Sequence, residues 1–323
     1  MISTPFTEKV GIEVPLICGA MYPCSNPELI AAVSEAGGIG VIQPVSMTFV
    51  YGYTLREGIR YIRTMTQKPL GFNAVVEESS KRYEDRMRLW VDIALQEDIR
   101  FFITALGKPK WVVDKVHQAG GVVYHDVTSR KWALKALESD VDGLICVNNR
   151  AGGHAGTEPA KELYNDLADL GVPLICAGGI SNENEFKEAL DTGYAAVQMG
   201  TRFIATNECD VHEDYKNAIL SANEKDIVLT DKISGVPVSV INTPFVKKKG
   251  TKSSRFIKLL LADKNAKRWI RMFYTIRSFF QLKNASQNGS SYKDYFQAGK
   301  SVENIKSIEP AGEIVKRYSN FVS

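Results

Sequence analysis

The chain carries no CxxC pair, no GxGxxG after any strand-like segment, and no apolar run near the ~20 residues needed to cross a bilayer. Each absence removes a class of protein. The five cysteines (Cys18, Cys24, Cys146, Cys176 and Cys209) are odd in number and at no metal-ligand spacing. This argues against a disulfide framework and structural zinc, and no metal is expected. The missing glycine fingerprint argues against an open doubly wound nucleotide-binding sheet. The N-terminal stretch lacks the charged start, apolar middle and small-residue cleavage site of a secretory signal, so the expected location is cytoplasmic with no membrane partner.

What remains is 323 residues, 44% apolar and 24% charged, the composition of a globular protein with a sizeable core. The net charge of +3 conceals an asymmetry, because residues 247–283 hold twelve Lys or Arg against the single acid Asp263. Helices that lay basic side chains over an apolar face account for such a segment. No nucleic-acid partner is expected, and an acidic carrier protein is the partner the patch would suit.

From residue 14 to about 222, short continuously apolar runs alternate with longer segments of helical period. Eight strand candidates result: Val14 to Cys18, Gly38 to Ile42, Leu70 to Val76, Phe101 to Ala105, Val122 to Val127, Gly143 to Val147, Pro173 to Ala177 and Ala195 to Met199. Parallel strands buried on both faces read this way. Asn26 with Pro27 marks a helix start and Gly37 with Gly38 its end. Thr54 and Glu57 have capping-box spacing, and Ser129 and Ser181 are candidate N-caps of the fifth and seventh helices. Eight such units predict a (β/α)8 TIM barrel over residues 1–222.

Residues 223–323 change pattern and predict an added C-terminal helical subdomain, a lid that returns to the barrel. It contains a β-like run from Val236 to Ile241 and a helically spaced row, Trp269, Met272, Phe273, Ile276, Phe279 and Phe280. A polar loop from Asn284 to Ser291 and a helix from Ala311 to Phe321 follow.

Ligands of such barrels sit at the carboxyl ends of the strands. The seventh strand leads into Ala177-Gly178-Gly179-Ile180 and the eighth into Gln198-Met199-Gly200-Thr201. Glycines there let backbone N–H groups approach an anion, and a Thr hydroxyl adds a donor, so a phosphorylated cofactor is expected. After the sixth strand, Arg150-Ala151-Gly152-Gly153-His154-Ala155-Gly156 sets an imidazole among small residues, the arrangement of a general acid–base group beside a flat ligand. Gly19-Ala20-Met21 after the first strand and Asn73 in the third complete the ring. His125, at the end of the fifth strand beside Asp126, is a further candidate; His117 and His212 read as helical.

Five motifs in order, Pro15 to Met21 (PLICGAM), Gly71 to Ala74 (GFNA), Ala151 to Gly156 (AGGHAG), Ala177 to Ile180 (AGGI) and Gln198 to Phe203 (QMGTRF), resemble the nitronate monooxygenase family of FMN enzymes over nearly the whole chain. The resemblance implies an FMN phosphate at Gly179, Gly200 and Thr201, with the ring near Ala20, Met21, Asn73, Gly152 and Gln198. Gly19, Gly153, Ala177, Gly178 and Met199 complete the cofactor loops. It also implies His154 as catalytic base or hydrogen-bond donor, in a reaction that converts an alkyl nitronate such as propionate 3-nitronate and O2 to a carbonyl compound and nitrite. Tyr292, Tyr295 and Lys300, with His125, are candidates for the substrate side, Lys300 as the cation for an anionic nitronate. The chain departs from the family at Cys18 and Ala20, where members often have Gln and Pro, at Val147, where several have Gln or Glu, and at Lys300, where Gln is usual. The same motifs serve NAD(P)H-dependent FMN reductases of enoyl-acyl-carrier-protein or quinones, the alternative reading. A homodimer is compatible with either.

Overall fold

A computed structural model of the chain describes residues 2–77, 80–233, 236–252, 280–288 and 295–322. The eight strands are β1 (Leu16–Cys18), β2 (Ile39–Ile42), β3 (Leu70–Val75), β4 (Phe101–Ala105), β5 (Val122–Val127), β6 (Gly143–Val147), β7 (Leu174–Ala177) and β8 (Ala196–Met199). They form a closed parallel barrel in sequence order, sealed where Leu16, Ile17 and Cys18 pair with Val197, Gln198 and Met199. β1 and β7 start later than their apolar runs because Pro15 and Pro173 have no N–H for the ladder.

The helices α1 (Pro5–Val10), α2 (Pro27–Glu35), α3 (Leu55–Met65), α4 (Lys81–Gln96), α5 (Lys110–Gln118), α6 (Arg130–Leu137), α7 (Ala160–Leu167) and α8 (Glu183–Thr192) precede or follow the strands. Strand alternation divides the core into two shells. Ile17, Val41, Ile103, Tyr124, Ile145 and Ile175 fill the lumen, while Leu16, Ile42, Phe102, Val123 and Leu144 pack outward against the helices. Phe6 of α1 plugs the amino end of the barrel, edge-on to Phe101 at 5.3 Å and Tyr124 at 5.4 Å. The filled lumen leaves room only at the carboxyl ends of the strands.

Local signals hold in part. Thr54 and Glu57 form the expected capping box of α3, and Ser129 stands at the N-cap of α6 without a side-chain bond. Asn26 precedes α2, but its amide reaches Glu28 and the carbonyl of Glu208 instead of capping. Asn182, not Ser181, caps α8; Ser181 gives its N–H and hydroxyl to Glu185. His212 caps the next helix and is not inside it. All five cysteines are free and buried.

After the barrel, Ile227–Thr230 and Val238–Ile241 form an antiparallel ribbon, so the C-terminal segment begins with β structure before its helices. The apolar row from Trp269 to Phe279 lies outside the described residues, as do Tyr292 and most of the basic segment; Phe280 packs edge-on against Phe49 at 5.2 Å. Residues 284–288 are helical, which corrects the loop reading of Asn284 to Ser291 over that part; 289–291 lie outside the described residues. Their polarity misleads because Gln281, Leu282, Ala285 and Ser286 turn to one buried face. Helix Ala311–Val322 packs on α2 and α8, with Tyr318 stacked on Phe186 at 5.4 Å. Buried Arg202 ties this return in place, donating to the carbonyls of Ala205 (2.8 Å) and Ser307 (2.9 Å) and facing Glu309 at 3.5 Å. Among the described residues no helix is long and apolar enough to cross a membrane, and no group of side chains is arranged to hold a metal ion.

Candidate active site

A cavity of about 300 Å³ opens at the carboxyl ends of the strands. On one side are the glycine loops after β7 and β8. Gly178 (φ +114°) and Gly179 (φ +85°) hold conformations that L side chains rarely adopt, and a β-carbon at Gly178 would lie 2.6 Å from the Ala151 nitrogen. Asn148, wholly buried, staples the neighbouring loops: its amide donates to the Gly178 carbonyl (2.8 Å) and its Oδ1 accepts the Arg150 N–H (2.8 Å). Thr201 Oγ1 accepts the Gly299 N–H at 2.9 Å, which leaves its hydroxyl proton to donate to an anion.

His154 stands on the adjoining loop, which follows β6, the strand paired with β7. Water reaches it from the cavity mouth, yet enough protein surrounds it that desolvation lowers its pKa below the ordinary 6.5. The ribbon fixes its loop, because the Ser239 N–H donates to the Gly153 carbonyl at 2.7 Å. Arg150 also lines the cavity, with its guanidinium 2.8 Å from Glu224. Burial pushes the Glu224 carboxyl up, but hydrogen bonds from Arg150 and Lys300 outweigh this and hold it below its usual range.

The strand ends supply two further polar groups. Gln198 Oε1 and Asp126 Oδ1 are enclosed and have no hydrogen-bond partner. Unpartnered polar atoms facing a cavity can be satisfied by water or by a ligand that enters it. A flat ring with a hydrogen-bonding edge and a phosphate tail fits this lining: orphaned acceptors on the barrel axis, glycines under both anion loops, and small residues on both sides.

Of the residues expected from sequence, Gly19, Ala20, Met21, Gly152, Gly153, His154, Ala177, Gly178, Gly179, Gln198, Met199, Gly200 and Thr201 all line this one cavity. Asn73 occupies a lumen-facing register beside Ile103 but lies outside the lining. Three substrate-side expectations need correction. His125 points outward, since strand alternation puts it opposite Asp126, and its Nδ1 lies 2.8 Å from Thr104 Oγ1. Burial pushes that imidazole down to about 4. Tyr295 is buried in a satellite core with Val240 and Leu282, edge-on to Phe245 at 5.4 Å. Lys300 is paired with Glu224, Nζ to Oε1 3.2 Å, and is not among the residues lining the cavity. Asp126, Tyr215, Gln297 and Ser301 line the cavity without having been expected there. The signal for Asp126 was its even spacing from Val122 and Tyr124, which face the lumen.

The eight-stranded barrel, with two glycine loops and an imidazole at one cavity, is a (β/α)8 barrel, and the family it matches makes it an oxidoreductase. The chain belongs to the nitronate monooxygenase family, whose sequence profile matches residues 3–319. It is 30% identical over 277 residues to (3aS,4S,5R,7aS)-5-hydroxy-7a-methyl-1-oxo-octahydro-1H-indene-4-carboxyl-CoA dehydrogenase of Mycobacterium tuberculosis, covering 84% of this chain and 75% of that protein. It is 26% identical to a probable nitronate monooxygenase of Staphylococcus saprophyticus, covering 76% and 81%. Among solved structures, FabK from Thermotoga maritima superposes with a TM-score of 0.81 at 28% identity, covering all of this chain and 96% of that one.

Proposed function

We propose that the protein is an FMN-dependent oxidoreductase acting on carbon acids, substrates whose C–H bond is acidified by a neighbouring electron-withdrawing group, and on their conjugate bases, with nitroalkanes and the alkyl nitronates they form as the primary class. The observation that carries this reading is His154, an imidazole whose pKa is lowered by burial, lining one cavity with the glycine loops after β7 and β8.

FMN, when bound, supplies the two-electron acceptor. The chain does the rest. Gly178, Gly179, Gly200 and Thr201 offer N–H and O–H donors to the phosphate. Gln198 and Asp126, with Met21, Gly152 and Gly153, would hold the ring. A neutral imidazole nitrogen of His154 takes the α-proton of a nitroalkane, or donates to the nitro oxygens once it carries that proton.

The 30% identity to a carboxyl-CoA dehydrogenase favours a second substrate, an acyl-CoA thioester, whose α-proton is acidified by the thioester carbonyl. A cytoplasmic, soluble enzyme, dimeric or not, suits either substrate. Anaerobic mixing of the FMN-loaded protein with propionate 3-nitronate, with an acyl-CoA, or with NADH or NADPH, following loss of the flavin's visible band, separates the readings. Bleaching by nitronate establishes the primary class and bleaching by the thioester the second; bleaching by nicotinamide alone overturns both in favour of a reductase.

A further inference from the structure

Among the described residues, Asp126 is the one carboxylate lining the cavity. It stands on β5 two residues beyond Tyr124, so strand alternation turns it to the lumen, and its register partner on β6, Ile145, is apolar. Its Oδ1 is enclosed without a hydrogen-bond partner. Arg150, the cation lining the same cavity, is occupied by Glu224.

We propose that Asp126 is a cofactor-contacting residue whose carboxyl donates a hydrogen bond to an electron-rich atom of the flavin ring and so makes reduction of the bound flavin easier. The inference rests on the FMN reading above. Enclosure with no cation disfavours the ionised form and pushes this acid up to about 7. At neutral pH a large share of the protein therefore carries Asp126 as an acid with a proton to offer. Reduction adds negative charge to the ring, and a donor fixed at that point stabilises the reduced state more than the oxidised one. Gln198, whose orphaned Oε1 accepts and does not donate, has the opposite polarity.

The test compares the two-electron potential of bound FMN in wild type, Asp126→Asn and Asp126→Leu, with the FMN dissociation constant measured alongside. Asp126→Leu is expected to keep FMN but to make reduction about tenfold less favourable, equivalent to about 30 mV. Asp126→Asn, a neutral donor of equal size, shifts it less. An unchanged potential in Asp126→Leu overturns the inference while leaving the FMN reading intact; failure of wild type to bind FMN overturns both. Should the leucine variant not fold, infrared spectroscopy decides. The carbonyl band of a protonated carboxylic acid is expected in wild type and lost in Asp126→Asn, and its absence from wild type sinks the proposal.

Discussion

A β-carbon on Gly179 would stand 2.7 Å from Nε of Arg150, so the glycine and the arginine are fitted to one another at the edge of the cavity. Gly179→Ala therefore has two costs, a left-handed backbone of about 1–2 kcal/mol and displacement of Arg150 from Glu224. Fluorescence titration of the apoprotein should show FMN affinity reduced by roughly tenfold or more. Unchanged affinity would show that this loop does not hold the phosphate.

His154→Asn should retain FMN and lose about 10²-fold in nitroalkane turnover, the contribution of a general base. The working form is the neutral imidazole, and its pKa is depressed by burial. The His154 limb of wild-type kcat/KM should thus fall only below pH 6.5, as the ring takes up a proton. The variant should lack that limb. An inflection above 6.5 that persists in Asp126→Asn would assign the base elsewhere.

Lys300→Met should change KM for a nitronate by less than about twofold, since its ammonium is engaged by Glu224 at 3.2 Å and an exposed pair of this kind contributes little. Steady-state kinetics at low salt is the check, and a tenfold rise in KM would return Lys300 to the substrate side.

Arg202→Leu should destabilise the fold by about 3 kcal/mol, because it strips two carbonyls and Glu309 of a buried guanidinium. Urea unfolding measures this directly. The midpoint should fall while FMN affinity of the folded fraction stays near wild type, since Arg202 is not part of the cavity lining.

Much of the site was legible because it is built from short local motifs. Ala177 to Ile180 and Gln198 to Thr201 each set glycines directly after an apolar strand, so position along the chain already implies position in the barrel. The misassignment at His125 has a physical cause. β5 is buried on both faces, so no contrast of period two marks which face is the lumen, and a shift of one residue exchanges His125 for Asp126. Lys300 failed for another reason: its charge was legible, but the carboxylate that takes it, Glu224, lies far away in sequence.

By itself, then, the sequence determined the barrel, through alternation of apolar runs with helical periods, and the glycine loops with His154 at the strand ends. Tertiary structure alone decided that Asp126 faces inward without a partner, that Arg150 and Lys300 share Glu224, and that Ser239 and Gln297 return to frame the Gly153–His154 loop. The reason is range. A period or a cap is written in neighbouring residues, whereas a lumen face or a distant ion pair exists only once the sheet has closed and the chain has come back across it.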